Sequence, residues 1–323
     1  MKHLKKLLSV VTVLSFTLTL CNSNTAKANS ELSIKTIDSE ITNPKEISEY
    51  VQANFAENTV TINEVDYLEQ IQSHMVDELV ESGMSQKQAE SILNYDYKEE
   101  LLDMAKESVD DLKSKGFNNR QINAIKSYDG STNALNYAKN NSLSSASLTM
   151  SWGPTLINNT QQFNIYYYAK WSSQPIFNYS DIIGIGWIAC NKNSMPITMK
   201  HNDPPTCFAQ YYEGNTYITI KNLNASEYDA SSATFKIPML LTSQVDDIYA
   251  KEISGSVRLA TQSGSKNLYS IQVLIGYGHV VVIPSASISF YQPTSMSINF
   301  EFSYNVEQLY KDNKIYKYDG TLL

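Results

Sequence analysis

Arginine, histidine and cysteine are scarce in this 323-residue chain, and each scarcity closes a class of function. Only Arg120 and Arg258 are arginines, and 25 basic residues stand against 33 acidic ones, a formal net charge of -8. A nucleic-acid binder needs a basic surface to displace counterions from phosphates, so no nucleic-acid partner is expected. Histidine occurs four times, without HExxH or comparable spacing, so neither a metal site nor a cofactor is expected. A GxSxG elbow and a GxGxxG loop are both missing, which removes the serine-hydrolase and dinucleotide signatures. Beyond residue 28 no apolar run reaches the length of a bilayer-spanning helix. Charged residues are only 18%, but apolar residues at 42% are enough for a packed core.

What is present begins with an address. Lys2, Lys5 and Lys6 precede an uncharged apolar stretch from Leu7 to Leu20, and Ala26-Lys27-Ala28 follows as a small-x-small site. These parts in this order predict a secretory signal peptide over residues 1–28, cleaved after Ala28. A lipid-modified Cys21 is the competing reading, and Leu20 stands where that site wants a small residue. The low arginine content and the abundance of Asn, Ile, Tyr and Lys suit an AT-rich genome, so an exported bacterial protein is expected. Removal of the leader leaves Cys190 and Cys207, and two cysteines in an exported chain predict one disulfide. Such a loop would stabilise the fold by roughly 3 kcal/mol in the chain-entropy model.

The mature chain changes character near residue 145. Residues 29–145 hold 10 basic and 21 acidic residues, whereas 146–323 hold 11 and 12, so nearly all the net charge lies in the first half. Eight of nine prolines and 16 of 22 tyrosines lie in the second half, which points to helices before and strands after. Asn43-Pro44 reads as an N-cap followed by proline at the first helical position. Val65, Leu68, Ile71, Met75 and Leu79 recur at helical spacing, as do Leu101, Ala105, Val109 and Leu112. Asp96 with Glu99 forms a capping pattern. An internal repeat stands out: residues 76–96 and 109–129 share eight identities in 21 positions at an offset of 33, including Gly83/Gly116 and Tyr95/Tyr128. It predicts a duplicated helix–turn–helix pair.

After a polar linker at 141–147, eleven segments rich in β-branched and aromatic residues alternate with Gly, Pro, Asn and Ser between Thr149 and Ser303. The expected fold class is therefore α+β multidomain: a small acidic helical domain over 29–140, then an antiparallel β-sandwich over 148–305. Residues 306–323 read as a polar, tyrosine-rich tail. The stretch from Asn267 to Phe300 carries no charged side chain, and Ala286, Ile288, Phe290, Met296, Ile298 and Phe300 alternate with Ser and Asn in a hairpin pattern turning at Gln292-Pro293-Thr294.

Aromatic residues supply the candidate site. Alternation puts Tyr166, Tyr168 and the Lys170 stem on one side of a strand and Ile165, Tyr167, Ala169 and Trp171 on the other, so both sides need cover unless one is a binding face. Tyr166, Tyr168, Trp187, Tyr211 and Tyr212 are the candidate binding residues. The expected function is a secreted, non-enzymic protein whose β-sandwich binds a cell-envelope glycan or an extracellular protein. One alternative is an oligomerising pore-forming toxin or bacteriocin, with residues 285–300 as the membrane-contacting segment. A second is a hydrolase using two carboxylates among Asp181, Asp203, Glu213, Glu227 and Asp229.

Overall fold

In a computed structural model the described residues are 32–61, 64–81, 86–114, 119–138, 146–157, 162–175, 180–193, 195–242, 245–261, 268–280, 288–291, 299–302 and 306–317. The leader and its cleavage site, Gly83, Gly116, residues 141–145 of the linker and the 292–294 turn lie outside them, whereas the linker's last residue, Ser147, already opens a strand. The protein is mixed α+β and mostly sheet, with two largely antiparallel sheets stacked as a sandwich and several short helices. None of the described helices is long and apolar enough to cross a membrane.

The order begins with β1 (Leu32–Ser33), β2 (Lys35–Ile37), α1 (Pro44–Asn54) and β3 (Asn58–Thr61). Seven helices follow: α2 (Glu64–Gln72), α3 (Val76–Glu81), α4 (Gln86–Leu93), α5 (Tyr97–Lys106), α6 (Val109–Ser114), α7 (Asn119–Lys126) and α8 (Thr132–Ala138). The strands then run β4 (Ser147–Ile157), β5 (Gln162–Trp171), β6 (Ser180–Cys190), β7 (Pro196–Ile197), β8 (Met199–His201), β9 (Thr206–Glu213) and β10 (Thr216–Leu223). The remainder are β11 (Glu227–Tyr228), β12 (Ser232–Pro238), β13 (Leu240–Thr242), β14 (Val245–Thr261), β15 (Ser270–Val280), β16 (Ile288–Tyr291), β17 (Asn299–Phe302) and β18 (Val306–Lys317).

Sheet I runs β18-β15-β6-β12-β11, and sheet II runs β10-β9-β14-β5-β4-β2, with β3 also on β4. The sheets meet through large rings: Tyr167 against Phe235, Trp171 against Tyr277, and Trp152 against Tyr316. A polar chain joins them too. Trp171 Nε1 donates to Tyr277 Oη (3.2 Å), which donates to Asp181 Oδ2 (2.8 Å). His279 Nδ1 lies 2.9 Å from Asp181 Oδ1, and the Val280 amide donates to the same oxygen at 3.1 Å. Asp181 and His279 are fully buried, so these partners replace the water both groups lose.

Residues 35–61, grouped by charge with the helices, pack on sheet II instead. β2 pairs with Thr155–Ile157 and β3 with Ser147–Met150, the two ends of β4. Between them α1 crosses the outer face of the sheet, burying Ile47 and Val51 on Tyr166 and Tyr168. Each buried aliphatic side chain contributes about 2 kcal/mol. Asn43 caps α1 by accepting from the Lys45 and Glu46 amides, as the Asn-Pro pair predicts. Phe55 ends the helix over Gly153, where a Cβ would collide with its ring. Because Thr61 faces Ser147, the strands flanking all seven following helices are hydrogen-bonded neighbours.

Those helices bury a cluster of their own, with Leu68, Leu79, Leu101, Leu112 and Ile125 at its centre and members only from residues 68–138. Both long helical patterns break once. Glu78 accepts from the Met75 amide and starts α3 afresh, which leaves Met75 67% exposed rather than on the buried face. Ser108 and Asp111 cap each other reciprocally at α6, and Val109 is exposed.

Two expectations are corrected. Cys190 and Cys207 are buried thiols that form no disulfide: one ends β6 in sheet I and the other sits in β9 of sheet II. Burial pushes the Cys207 thiol up to about 12, so it stays protonated. Residues 306–317, set outside the sandwich as a polar tail, are β18 of sheet I, paired with β15 along its length. In the charge-free run, β16 and β17 pair with each other, Phe290 opposite Phe300 and Ile288 opposite Phe302, and join neither sheet.

Candidate functional site

The register of sheet II lines up one residue from each of six strands on its outer face. Thr59 faces Thr149, Thr149 faces Lys170, Lys170 faces Glu252, Glu252 faces Gln210, and Gln210 faces Ile220. This row lies one pleat beyond Tyr168, where α1 and Phe55 end their cover. Thr59, Lys170 and Ile220 are exposed, and Thr149, Glu252 and Gln210 are half-buried. The row is a belt across the sheet that no described element covers.

Neighbours along the belt hold one another. The Thr59 and Thr149 hydroxyls are 2.8 Å apart, and Lys170 Nζ is 2.9 Å from Glu252 Oε1. The Tyr168 and Tyr212 phenols lie close enough to the Glu252 carboxylate to feel its charge. Burial, and then the Glu252 charge, raises both phenols, Tyr212 to about 12, so each stays neutral. The Gln210 amide makes no side-chain hydrogen bond among the described residues and keeps a donor and an acceptor for solvent or ligand.

The β9–β10 turn closes one end of the belt. Gly214 takes a φ of +58°, which its lack of a Cβ permits. Lys251, on a bulge of β14, donates to Gly214 O (2.9 Å) and Asn215 Oδ1 (2.7 Å) and lies 5.8 Å from the Tyr212 ring centre. Burial, then repulsion from Lys170, lowers its ammonium pKa against the pull of Glu252. Tyr217 meets Tyr212 edge-to-face at 5.7 Å and is 50% exposed, so an aromatic face stands at the belt's end.

Of the five candidate binding residues, the structure brings two together here. Tyr212 borders the belt, and Tyr168 lies under α1 in the row next to Glu252. Tyr166 is fully buried beneath α1, where its hydroxyl accepts from Ile41 N (3.0 Å) and Asn164 Nδ2 (2.8 Å). Tyr211 is buried on the inner face and donates to Pro238 O. Trp187 is buried in sheet I, its Nε1 donating to Ala230 O and its ring against His201. Both faces of β5 are therefore covered, the inner by sheet I and the outer by α1. The belt residues missed by sequence reasoning, Thr59, Thr149, Glu252, Gln210 and Tyr217, are ordinary polar or strand residues. Only the register of non-consecutive strands assembles them.

The five acids considered for hydrolysis have separate surroundings. Asp181 is buried with His279, Asp203 pairs with Arg258, and Asp229 holds the Ser231 and Ser232 hydroxyls. Glu213 and Glu227 are exposed.

No family model and no curated protein matches the chain. Solved structures give distant likenesses. AvmM, which catalyses macrocyclization in alchivemycin A biosynthesis, is 8% identical at a TM-score of 0.25, over 49% of this chain and 80% of its own. The collagen-binding domain of Erysipelothrix rhusiopathiae surface protein RspB is 10% identical at 0.23, over 52% and 48%. Clostridium perfringens delta-toxin is 8% identical at 0.19, over 53% and 83%. A shared fold does not follow from scores this low.

Proposed function

We propose that the chain is a secreted, non-enzymic protein whose β-sandwich binds an extracellular or cell-envelope target through the outer belt of sheet II. The observation that carries this reading is the belt itself: a hydrogen-bonding row on a rigid sheet, uncovered by any described element and ending in an exposed tyrosine. Tyr212 and Tyr217 are the contact residues, and Tyr168 positions Glu252 from below. The leader at 1–28 directs export. The helical run is the duplicated pair: α3 and α4 recur as α6 and α7 at an offset of 33, with Leu79 and Leu112, and Ile92 and Ile125, buried in both copies. The test is co-sedimentation of residues 29–323 with purified cell-wall sacculi and, separately, lipid vesicles. Pelleting with sacculi, lost on Tyr217→Ala, is the expected result, and a protein left in the supernatant of both overturns the reading.

A second reading has its own observation. The β16–β17 hairpin stands outside both sheets, and its register opposes apolar residues to each other and Ser289 to Glu301. That two-fold alternation suits a membrane-inserting hairpin of an oligomerising toxin. Dye release from vesicles would favour it, and intact vesicles at protein concentrations that saturate sacculi would exclude it.

A further inference from the structure

We infer that the ligand of the sheet II belt is a neutral polysaccharide chain lying across the strands. This rests on the proposal that the belt is the binding surface.

Charge comes first. The belt holds one cation and one anion, Lys170 and Glu252, and they form an ion pair. An anionic polymer would have to break that pair to find a cation, and Lys251 is already committed to Gly214 and Asn215. A polymer without charge can accept from Lys170 and donate to Glu252 while the pair persists.

Shape follows. Six strands at about 4.8 Å spacing give a row about 24 Å long. One strand spacing is close to the length of one pyranose unit, so a chain crossing the strands meets a new side chain at each sugar. Thr59, Thr149, Lys170, Glu252 and Gln210 present hydroxyl, ammonium, carboxylate and amide groups in sequence. These are the donors and acceptors that sugar hydroxyls match. At the far end Tyr217 and Ile220 are exposed apolar surface for a pyranose C–H face.

A protein partner fits less well. Strand addition needs a free sheet edge, and the belt runs over the face of strands already paired on both sides at β4, β5, β9 and β14. A buried protein interface needs a central cluster of apolar and aromatic anchors, and here Tyr217 and Ile220 stand at one end of the row only. The surface is also held in advance. α1 clamps the adjoining rows, and Lys251 fixes the β9–β10 turn, so little side-chain freedom is lost on binding.

The experiment titrates residues 29–323 by calorimetry with β-1,4-linked N-acetylglucosamine hexamer and dimer, cellohexaose, and a hyaluronan hexamer as the charged control. One neutral hexamer should bind at least about tenfold more tightly than the dimer, because the dimer spans only two of the six strands. Hyaluronan should not compete. Tyr217→Ala and Gln210→Ala should each weaken the hexamer, the former by about tenfold, the size of one lost aromatic contact. An unchanged thermal transition shows that each variant is folded. No binding of either neutral hexamer, equal affinity for dimer and hexamer, preference for hyaluronan, or indifference to both substitutions overturns the inference. Sedimentation with sacculi separates the two levels. Sacculus binding without neutral-glycan binding sinks the polysaccharide alone, and loss of both sinks the belt as well.

Discussion

The helices and the sheets of this protein close their cores at different ranges. The cluster of α2 to α8 draws on residues 68–138, and its cross-ties are short in sequence: Gln72 Nε2 donates to Ile92 O and Tyr95 O, and Lys126 Nζ to Ala105 O. The sandwich closes across the whole chain, with Tyr166 under residues 41–51 and Trp152 against Tyr316. Local contacts cost little loop-closure entropy, and long-range pairing must meet that cost before any contact stabilises it. The topology reconciles the two. Every helix after α1 lies between β3 and β4, which pair with each other, so the run leaves and re-enters the sheet at neighbouring residues.

The most drastic way to break the comparison is deletion. Joining Thr61 to Ser147 through Asn-Gly should remove the helical circular dichroism and leave a cooperative β unfolding transition. An aggregated product would show that the sheets depend on the helices. All three tryptophans lie in the sandwich, so their fluorescence reports it alone, and the 222 nm signal reports mainly the helices. Asp181→Ala removes the carboxylate shared by Tyr277, His279 and the Val280 amide in a fully buried site. It should cost the fluorescence-detected transition about 3–5 kcal/mol and spare the helical one. Leu112→Ala should do the reverse at about 3 kcal/mol, and a matching drop in both signals would mean a single cooperative unit. The smallest effect belongs to reductant, which should move neither transition. Thiol titration should find no reactive cysteine in the native mature protein and two in denaturant, and a disulfide in the secreted form would contradict the geometry.

Local features were legible in the sequence. The Asn43-Pro44 cap, the Asp96 cap and the strand over 163–171 follow from side chains within a few residues of the backbone they control, whereas the pairing of Phe290 with Phe300 is offset from the register that a turn at Gln292-Pro293-Thr294 implies. The two-sided aromatic character of β5 was equally visible, but it left open whether the Tyr166 and Tyr168 face was covered or bound a ligand, and the structure covers it. What supplied the outer cover was not visible, because α1 comes from more than 100 residues upstream and its charge groups it with the acidic helices. The candidate site suffered from the same gap. Tyr166, Trp187 and Tyr211 were conspicuous by composition, but conspicuous aromatics are what a core attracts. The belt is assembled from unremarked residues by strand register.

The sequence alone determined the division into a helical run and a strand-rich half, the deficit of positive charge, the repeat offset and the leader pattern, because each depends on composition or on spacing along a few turns of chain. The tertiary structure decided which sheet each cysteine joined, that residues 306–317 form a strand, that residues 35–61 clamp sheet II, and which six side chains stand in one row. Those outcomes depend on pairing between strands far apart in sequence. A shift of one residue in that pairing would turn each side chain of the row to the opposite face.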